Sequence, residues 1–184
     1  MKHYEMNIAG CVRRLPLCPL NESLQIGAFV MFGDVELTRA CAAALLEKAP
    51  EYDYLITAEA KGIPLCYEMA RQANAETYFV ARKKPKLYMT GVLDVEVQSI
   101  TTRGTQHLYL DTAEAEQMKG KRVIIVDDVI STGESLFAVE QLVKQAGANI
   151  VAKMAVLAEG DAANRDDIIF LNPLPLFDTD GNPV

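Results

Sequence analysis

The chain has 184 residues, half of them hydrophobic, and 18 Lys plus Arg against 25 Asp plus Glu give a formal net charge of −7. That is enough apolar material for one packed domain, and the acidic balance opposes non-specific attraction to phosphate backbones or anionic lipid, so neither nucleic acid nor a membrane is an expected partner. The four cysteines, Cys11, Cys18, Cys41 and Cys66, make no C-x-x-C pair and no His-spaced cluster, which argues against structural zinc and for reduced thiols in a cytoplasmic protein.

In chain order, a Pro-rich opening precedes Asp34, which is placed to N-cap a helix running to about Ala49, with Val35, Ala40, Cys41, Ala44 and Leu45 near helical spacing. "YDYLITA" then reads as a buried strand, "GIPLCYEMARQA" as a helix that tolerates Pro64 in its first turn, and "TYFVAR" as the next strand. Residues 83–94 hold Lys, Pro and Gly without periodicity. "VEVQSI" and "QHLYL" alternate about "TTRGT", as a long hairpin or mobile loop would. Val123 to Val126 is a continuous apolar strand, residues 134–146 are amphipathic up to Gly147, and "IVAKMAVLA" is a further strand. Alternating strands and helices predict an α/β fold, a twisted parallel sheet with helices on both faces. The expected core spans about 34–160 of a single domain, with 1–33 and 160–184 forming a small hood over the sheet edge. His3 and His107 read as surface residues.

The chemistry concentrates in "VIIVDDVISTGES", residues 123–135. Ligands of open parallel sheets sit beyond the C-terminal strand ends, where Asp127 and Asp128 emerge. The following turn enters a helix whose first N–H groups have no partners and carry positive partial charge, a geometry that binds phosphate. Ser131, Thr132 and Ser135 add hydroxyls, and Gly133 permits positive φ or close backbone approach. Adjacent acids would repel that phosphate, so sugar hydroxyls, or a metal ion held with them, are their natural partners. The pattern points to a phosphorylated sugar. Read singly, Asp128 or Ser131 would be no more than a helix cap.

The full string closely resembles the phosphoribosyl-pyrophosphate (PRPP) signature of type I phosphoribosyltransferases, with the adenine and xanthine enzymes the most similar in pattern over residues 50–160. The resemblance implies the type I fold and transfer of 5-phosphoribosyl from PRPP to a nucleobase in salvage. A purine is expected, adenine first, giving a nucleoside monophosphate and pyrophosphate. It also implies Mg2+ held mainly by PRPP and water, and a homodimer. By it, Asp127 and Asp128 face the ribose 2- and 3-hydroxyls, and Val129, Ile130, Ser131, Thr132, Gly133, Glu134 and Ser135 form the 5-phosphate loop, with Glu134 where the adenine enzymes carry Gly. "EAKGIP" resembles the pyrophosphate loop, assigning Glu59, Ala60, Lys61 and Gly62 to PRPP and implying a non-proline cis peptide between Ala60 and Lys61. "ARKKPK" resembles the basic segment that grips pyrophosphate, in some relatives across a dimer interface, through Arg82, Lys83 and Lys86. Catalysis is expected to rest on Asp127, Asp128, Lys61 and Arg103.

Two stretches depart from the pattern. Thr102, Arg103 and Gly104 stand where the adenine enzymes carry Glu-Tyr-Gly, so the acid proposed to help protonate the base is missing; Arg103 is either a pyrophosphate or base contact or a solvated residue. At the amino end, Arg13 and Arg14 occupy the hood segment that stacks the purine. The alternative function is a non-catalytic PRPP-binding regulator on the same fold.

Overall fold

A sheet of five parallel strands organises the computed structural model, which describes residues 2–98 and 105–184. The amino end supplies a hairpin of β1 (His3–Ile8) and β2 (Cys11–Pro19), turning at Ala9 and Gly10 with φ of 50° and 85°. Two positive φ values in a two-residue loop match the twist of the flanking strands. A short β3 (Gln25–Gly27) pairs antiparallel with β2. α1 (Val35–Leu46) begins at Asp34, whose carboxylate accepts the Leu37 N–H at 3.0 Å. Arg13 of β2 donates to the same carboxylate at 2.6 and 3.0 Å and to Glu36 at 2.7 Å. Arg13 therefore fastens the amino-terminal sheet to α1, and does so with the donors a purine contact would need.

The alternation then runs β4 (Tyr54–Ala58), α2 (Ile63–Gln72) and β5 (Phe79–Ala81), followed by an antiparallel pair, β6 (Val92–Gln98) and β7 (Thr105–Asp111). α3 (Thr112–Met118), β8 (Arg122–Ile130), α4 (Glu134–Gln145), β9 (Asn149–Glu159), a 3-10 turn (Gly160–Asn164) and β10 (Ile169–Leu174) complete the chain. The sheet order is β10-β9-β8-β4-β5 with every pairing parallel. Along β8, Val123 and Ile125 pack on α4 residues such as Leu136, Val139 and Leu142, while Ile124 and Val126 pack on Leu37, Cys41 and Leu45 of α1 and Leu65 and Met69 of α2. A strand buried on both faces needs its unbroken apolar run.

The hood is smaller than expected at its carboxyl end. Residues 160–184 are expected in it, but Ala162 lies in the core cluster and β10 extends the main sheet alongside β9. Pro173 explains the place of β10: lacking an N–H, it suits an edge strand. Only beyond Leu174 does the chain return to the amino-terminal sheet, where Phe177 exchanges backbone hydrogen bonds with Gln25 at 2.8 and 3.0 Å. Among the described residues, no helix is long and apolar enough to cross a membrane.

Candidate active site

From β4 the chain crosses by α2 to β5 on one side of β4, while β8 and β9 lie on the other, so the order of connections reverses between β4 and β8. That switch point, at the carboxyl ends of the two strands, is where open α/β sheets bind ligands. A cleft of about 570 Å³ opens there. Its walls include Glu59, Ala60 and Lys61 after β4, Lys83 after β5, His107 and Leu108 on β7, and all nine residues from Asp127 to Ser135.

The floor is the acid pair. Asp128 is 1% exposed, and its Oδ2 makes no hydrogen bond, although the Lys61 ammonium stands 3.2 Å away. Asp127 accepts the Asp128 N–H at 2.9 Å. Crowding by protein atoms, and then the charge of Asp128, push the Asp127 carboxyl well above the ordinary carboxylate range. Glu159, at the end of the neighbouring β9, is also pushed up by burial, an effect the Lys61 charge partly offsets. The pair Asp127 and Asp128, the latter with an orphaned buried oxygen, can accept hydrogen bonds from hydroxyls or bind through a cation.

The 5-phosphate loop expected from the sequence has the geometry for an anion. Gly133 is the N-cap of α4 in left-handed conformation, φ 83°, and no side chain caps the helix. The Glu134 N–H donates to Thr132 Oγ1 at 3.5 Å. Neither Asp128 nor Ser131 serves as the cap; Gly133 does, and the positive end of the helix lines the cleft. A Cβ on Gly133 would come 2.7 Å from Nη1 of Arg165, whose guanidinium is held by Asp167 at 2.8 Å through two nitrogens.

At the other end, Glu59 organises the basic segment. Its carboxylate accepts the Lys83 N–H at 3.0 Å and lies 3.6 Å from both Arg82 Nη1 and Lys86 Nζ; the Lys83 N–H first, then these cations, hold it below its ordinary range. Arg82 and Lys86 thus reach the site through Glu59 and do not line it. Gly62 lies beneath the loop, where a Cβ would stand 2.2 Å from Thr57 Oγ1. The non-proline cis bond joins Glu59 and Ala60, one residue before the expected Ala60–Lys61 position, directly after the Glu59 N–H makes the last bond to the sheet, to the Ala81 carbonyl.

Arg103 lies outside the described residues. His107, expected at the surface, is partly exposed and forms part of the cleft wall, with Nδ1 3.0 Å from Asp94 Oδ1. The "QHLYL" alternation held a signal for this, since Leu108 and Leu110 enter the core and turn His107 and Tyr109 the other way. No group of three or more His, Cys, Asp or Glu side chains among the described residues could cage a metal ion.

Residues 36–172 match the family model described as the phosphoribosyl transferase domain. Hypoxanthine/guanine phosphoribosyltransferase of Methanococcus voltae is 36% identical over 113 residues, covering 61% of this chain and 56% of that protein. The enzyme of the same name from Methanotorris igneus is 33% identical over 128 residues, covering 68% and 66%. The matched stretch thus spans less than two thirds of these curated relatives. Among solved structures, adenine phosphoribosyltransferase of Rhodothermus marinus superposes with a TM-score of 0.71 at 25% identity over 87% of this chain and 94% of that one. That of Thermoanaerobacter pseudethanolicus gives 0.71 at 20% identity over 86% and 95%.

Proposed function

The chain belongs to the phosphoribosyl transferase domain family, and from that premise we propose that it is a purine phosphoribosyltransferase, moving the 5-phosphoribosyl group of PRPP onto a purine nitrogen and releasing pyrophosphate. The observation that carries the reading is the convergence, on one cleft at the sheet's switch point, of a helix N-terminus, an acid pair with Asp128 buried, and a basic strand end.

Each part has a task. The N-terminus of α4 holds the 5-phosphate through its backbone N–H groups and positive dipole end. Asp127 and Asp128 take the ribose hydroxyls beneath the reacting carbon. The backbone of Ala60 to Gly62, with Lys61 and Lys83, receives pyrophosphate, and Arg82 and Lys86 add charge from behind Glu59. As the C1–O bond breaks, its electron pair leaves with pyrophosphate, where these cations stabilise it, and the acids stabilise the positive charge developing on the sugar. A base nitrogen then forms the C1–N bond and loses its proton to solvent. The protein need supply no nucleophile.

The donor set fits magnesium held mainly by PRPP and water. Asp127 and Asp128 are the protein groups that would help hold it, and when bound it supplies neutralising charge to the pyrophosphate. Relatives named for hypoxanthine and guanine, at 33–36% identity, put these two bases ahead of adenine in the assay. Exposed Leu87 and Tyr88, beside the basic segment, support a homodimer through that face, which light scattering tests.

The test is pyrophosphate release from PRPP and magnesium with hypoxanthine, guanine, xanthine and adenine in turn, using Asp127→Asn/Asp128→Asn as the inactive control. Release that requires a purine and vanishes in the control is expected. PRPP binding without release for any base would overturn the enzyme and leave a PRPP-binding regulator.

A further inference from the structure

The cations expected at the pyrophosphate end are largely committed within the protein: Lys61 stands against Asp128, and Arg82 and Lys86 against Glu59. Lys83 and His107 share the wall that remains. His107 comes from a strand with a buried opposite face, Leu108 and Leu110 being 6% and 0% exposed, so its ring is turned outward by the pleat. Two contacts then fix the ring. Nδ1 lies 3.0 Å from Asp94 Oδ1 across the hairpin, and the Tyr109 ring stacks on it at 5.8 Å between centroids with 9° between planes. The hairpin is itself pinned to the basic segment, because Arg82 and Tyr109 exchange two backbone hydrogen bonds of 2.8 Å. With Nδ1 given to Asp94, Nε2 is the ring nitrogen left for a ligand.

We propose that His107, oriented by Asp94, is a pyrophosphate-contacting residue of this site, donating from Nε2 to a pyrophosphate oxygen of PRPP. The proposal rests on the PRPP reading above. A ring carrying both protons donates from each nitrogen, and in that form it serves Asp94 and the ligand together. A carboxylate behind a ligand-facing histidine sets its orientation, as it does behind metal-bound histidines. Among the described residues, the charged groups on the elements packed about the ring include Asp94 and the cross-strand Glu96 on β6, and Arg82, Lys83 and Glu59 at the ends of β5 and β4. A polyanion entering among them meets a donor fixed in place, whereas the long lysine side chains must be ordered on binding.

Calorimetry with PRPP and magnesium, beside ribose 5-phosphate as a ligand lacking pyrophosphate, tests the assignment on the intact protein. His107→Asn keeps an amide near Nδ1 and loses the group at Nε2; His107→Gln does the reverse. The asparagine variant is expected to bind PRPP about 10- to 100-fold more weakly, the worth of one hydrogen bond involving a charged group. The glutamine variant recovers most of that loss, and ribose 5-phosphate binds all three proteins alike. Wild-type PRPP affinity in His107→Asn would overturn the inference and leave the proposed function standing. Equal weakening of both ligands in both variants would also overturn it, by reducing His107 to a brace of the hairpin. A wild-type protein that binds no PRPP would instead remove the functional reading on which the inference rests.

Discussion

Replacing Gly62 with Ala tests how the loop after β4 is built. Gly62 sits at φ −74° and ψ −13°, a conformation open to any residue, so backbone freedom does not explain the glycine. Space does. An alanine Cβ would lie 2.2 Å from Thr57 Oγ1, with Asp127 Oδ1 at 3.4 Å and Asp127 Cα at 3.5 Å. Thr57 is 0% exposed and has no room to withdraw, so relief requires the loop to move by roughly 1 Å from ordinary van der Waals contact distances. Overpacking of this kind costs about 1–3 kcal/mol, less about 0.4–1 kcal/mol from the stiffer unfolded chain, for a net loss of about 1–2 kcal/mol. In a chain of this size that is a fall in Tm of about 2–8 °C. Function suffers more, because the shift carries Lys61 away from Asp128, and a 1 Å misplacement costs about 100-fold in kcat/KM. Thermal melts and pyrophosphate release should be measured for Gly62→Ala, Thr57→Ala and the double variant. Thr57→Ala removes the atom struck, so the double variant should be more stable and more active than the single effects add to. Strict additivity, or a Gly62→Ala protein with wild-type melting and turnover, would refute the reasoning.

Three further outcomes are expected. Asp127 holds its proton to higher pH in the folded protein than in the unfolded chain, so the folded state binds more protons between the ordinary carboxylate range and the raised value, and stability falls as pH rises through that window. Asp127→Asn does not titrate and should gain stability over the wild type across it, seen as urea midpoints that diverge with pH; parallel curves would show the carboxyl to be unperturbed. Asp34→Ala removes the N-cap of α1 and the partner of Arg13, and should lose about 1 kcal/mol from the cap, or about 2–4 °C in Tm, with PRPP affinity unchanged. Gly133→Ala forces a Cβ into left-handed conformation at about 1–2 kcal/mol and onto Arg165, and should weaken ribose 5-phosphate binding. Adding Arg165→Ala should return only the part due to contact, and full recovery would deny the role of φ.

What the sequence disclosed was what local pattern encodes. The apolar run from Val123, the helix closed by Gly147 and the Asp34 cap each rest on neighbours within a few residues, and each stands in the structure. α3 was legible in principle, since Asp111 and Glu114 form a capping box, but seven residues carry little periodicity. β10 was obscured by Pro173, because a proline reads as a break until the strand is known to lie at an edge. Thr57 and Arg165 could not be found locally. They lie on β4 and just beyond the 3-10 turn, and each meets the site only when the sheet is assembled.

The same separation governs the charges. Taken one by one, Lys61, Arg82 and Lys86 read as cations awaiting pyrophosphate, and Glu59 and Asp128 as ligands in their own right. Folded together they answer one another, Lys61 at 3.2 Å from Asp128 and the other two at 3.6 Å from Glu59. On the proposed function, PRPP therefore does not enter a field of unpaired charge. Its pyrophosphate exchanges places with these carboxylates as the counter-ion of the basic groups, while its ribose hydroxyls give Asp128 the hydrogen bond its buried oxygen lacks. The internal pairs keep the empty cleft from bearing unpaired buried charge, and much of the attraction of PRPP is spent replacing them. Specificity then follows from the ligand's shape. A free phosphate can displace one carboxylate or occupy the helix N-terminus, but only a molecule carrying phosphate, vicinal hydroxyls and pyrophosphate at fixed spacing satisfies α4, the acid pair and the basic segment at once.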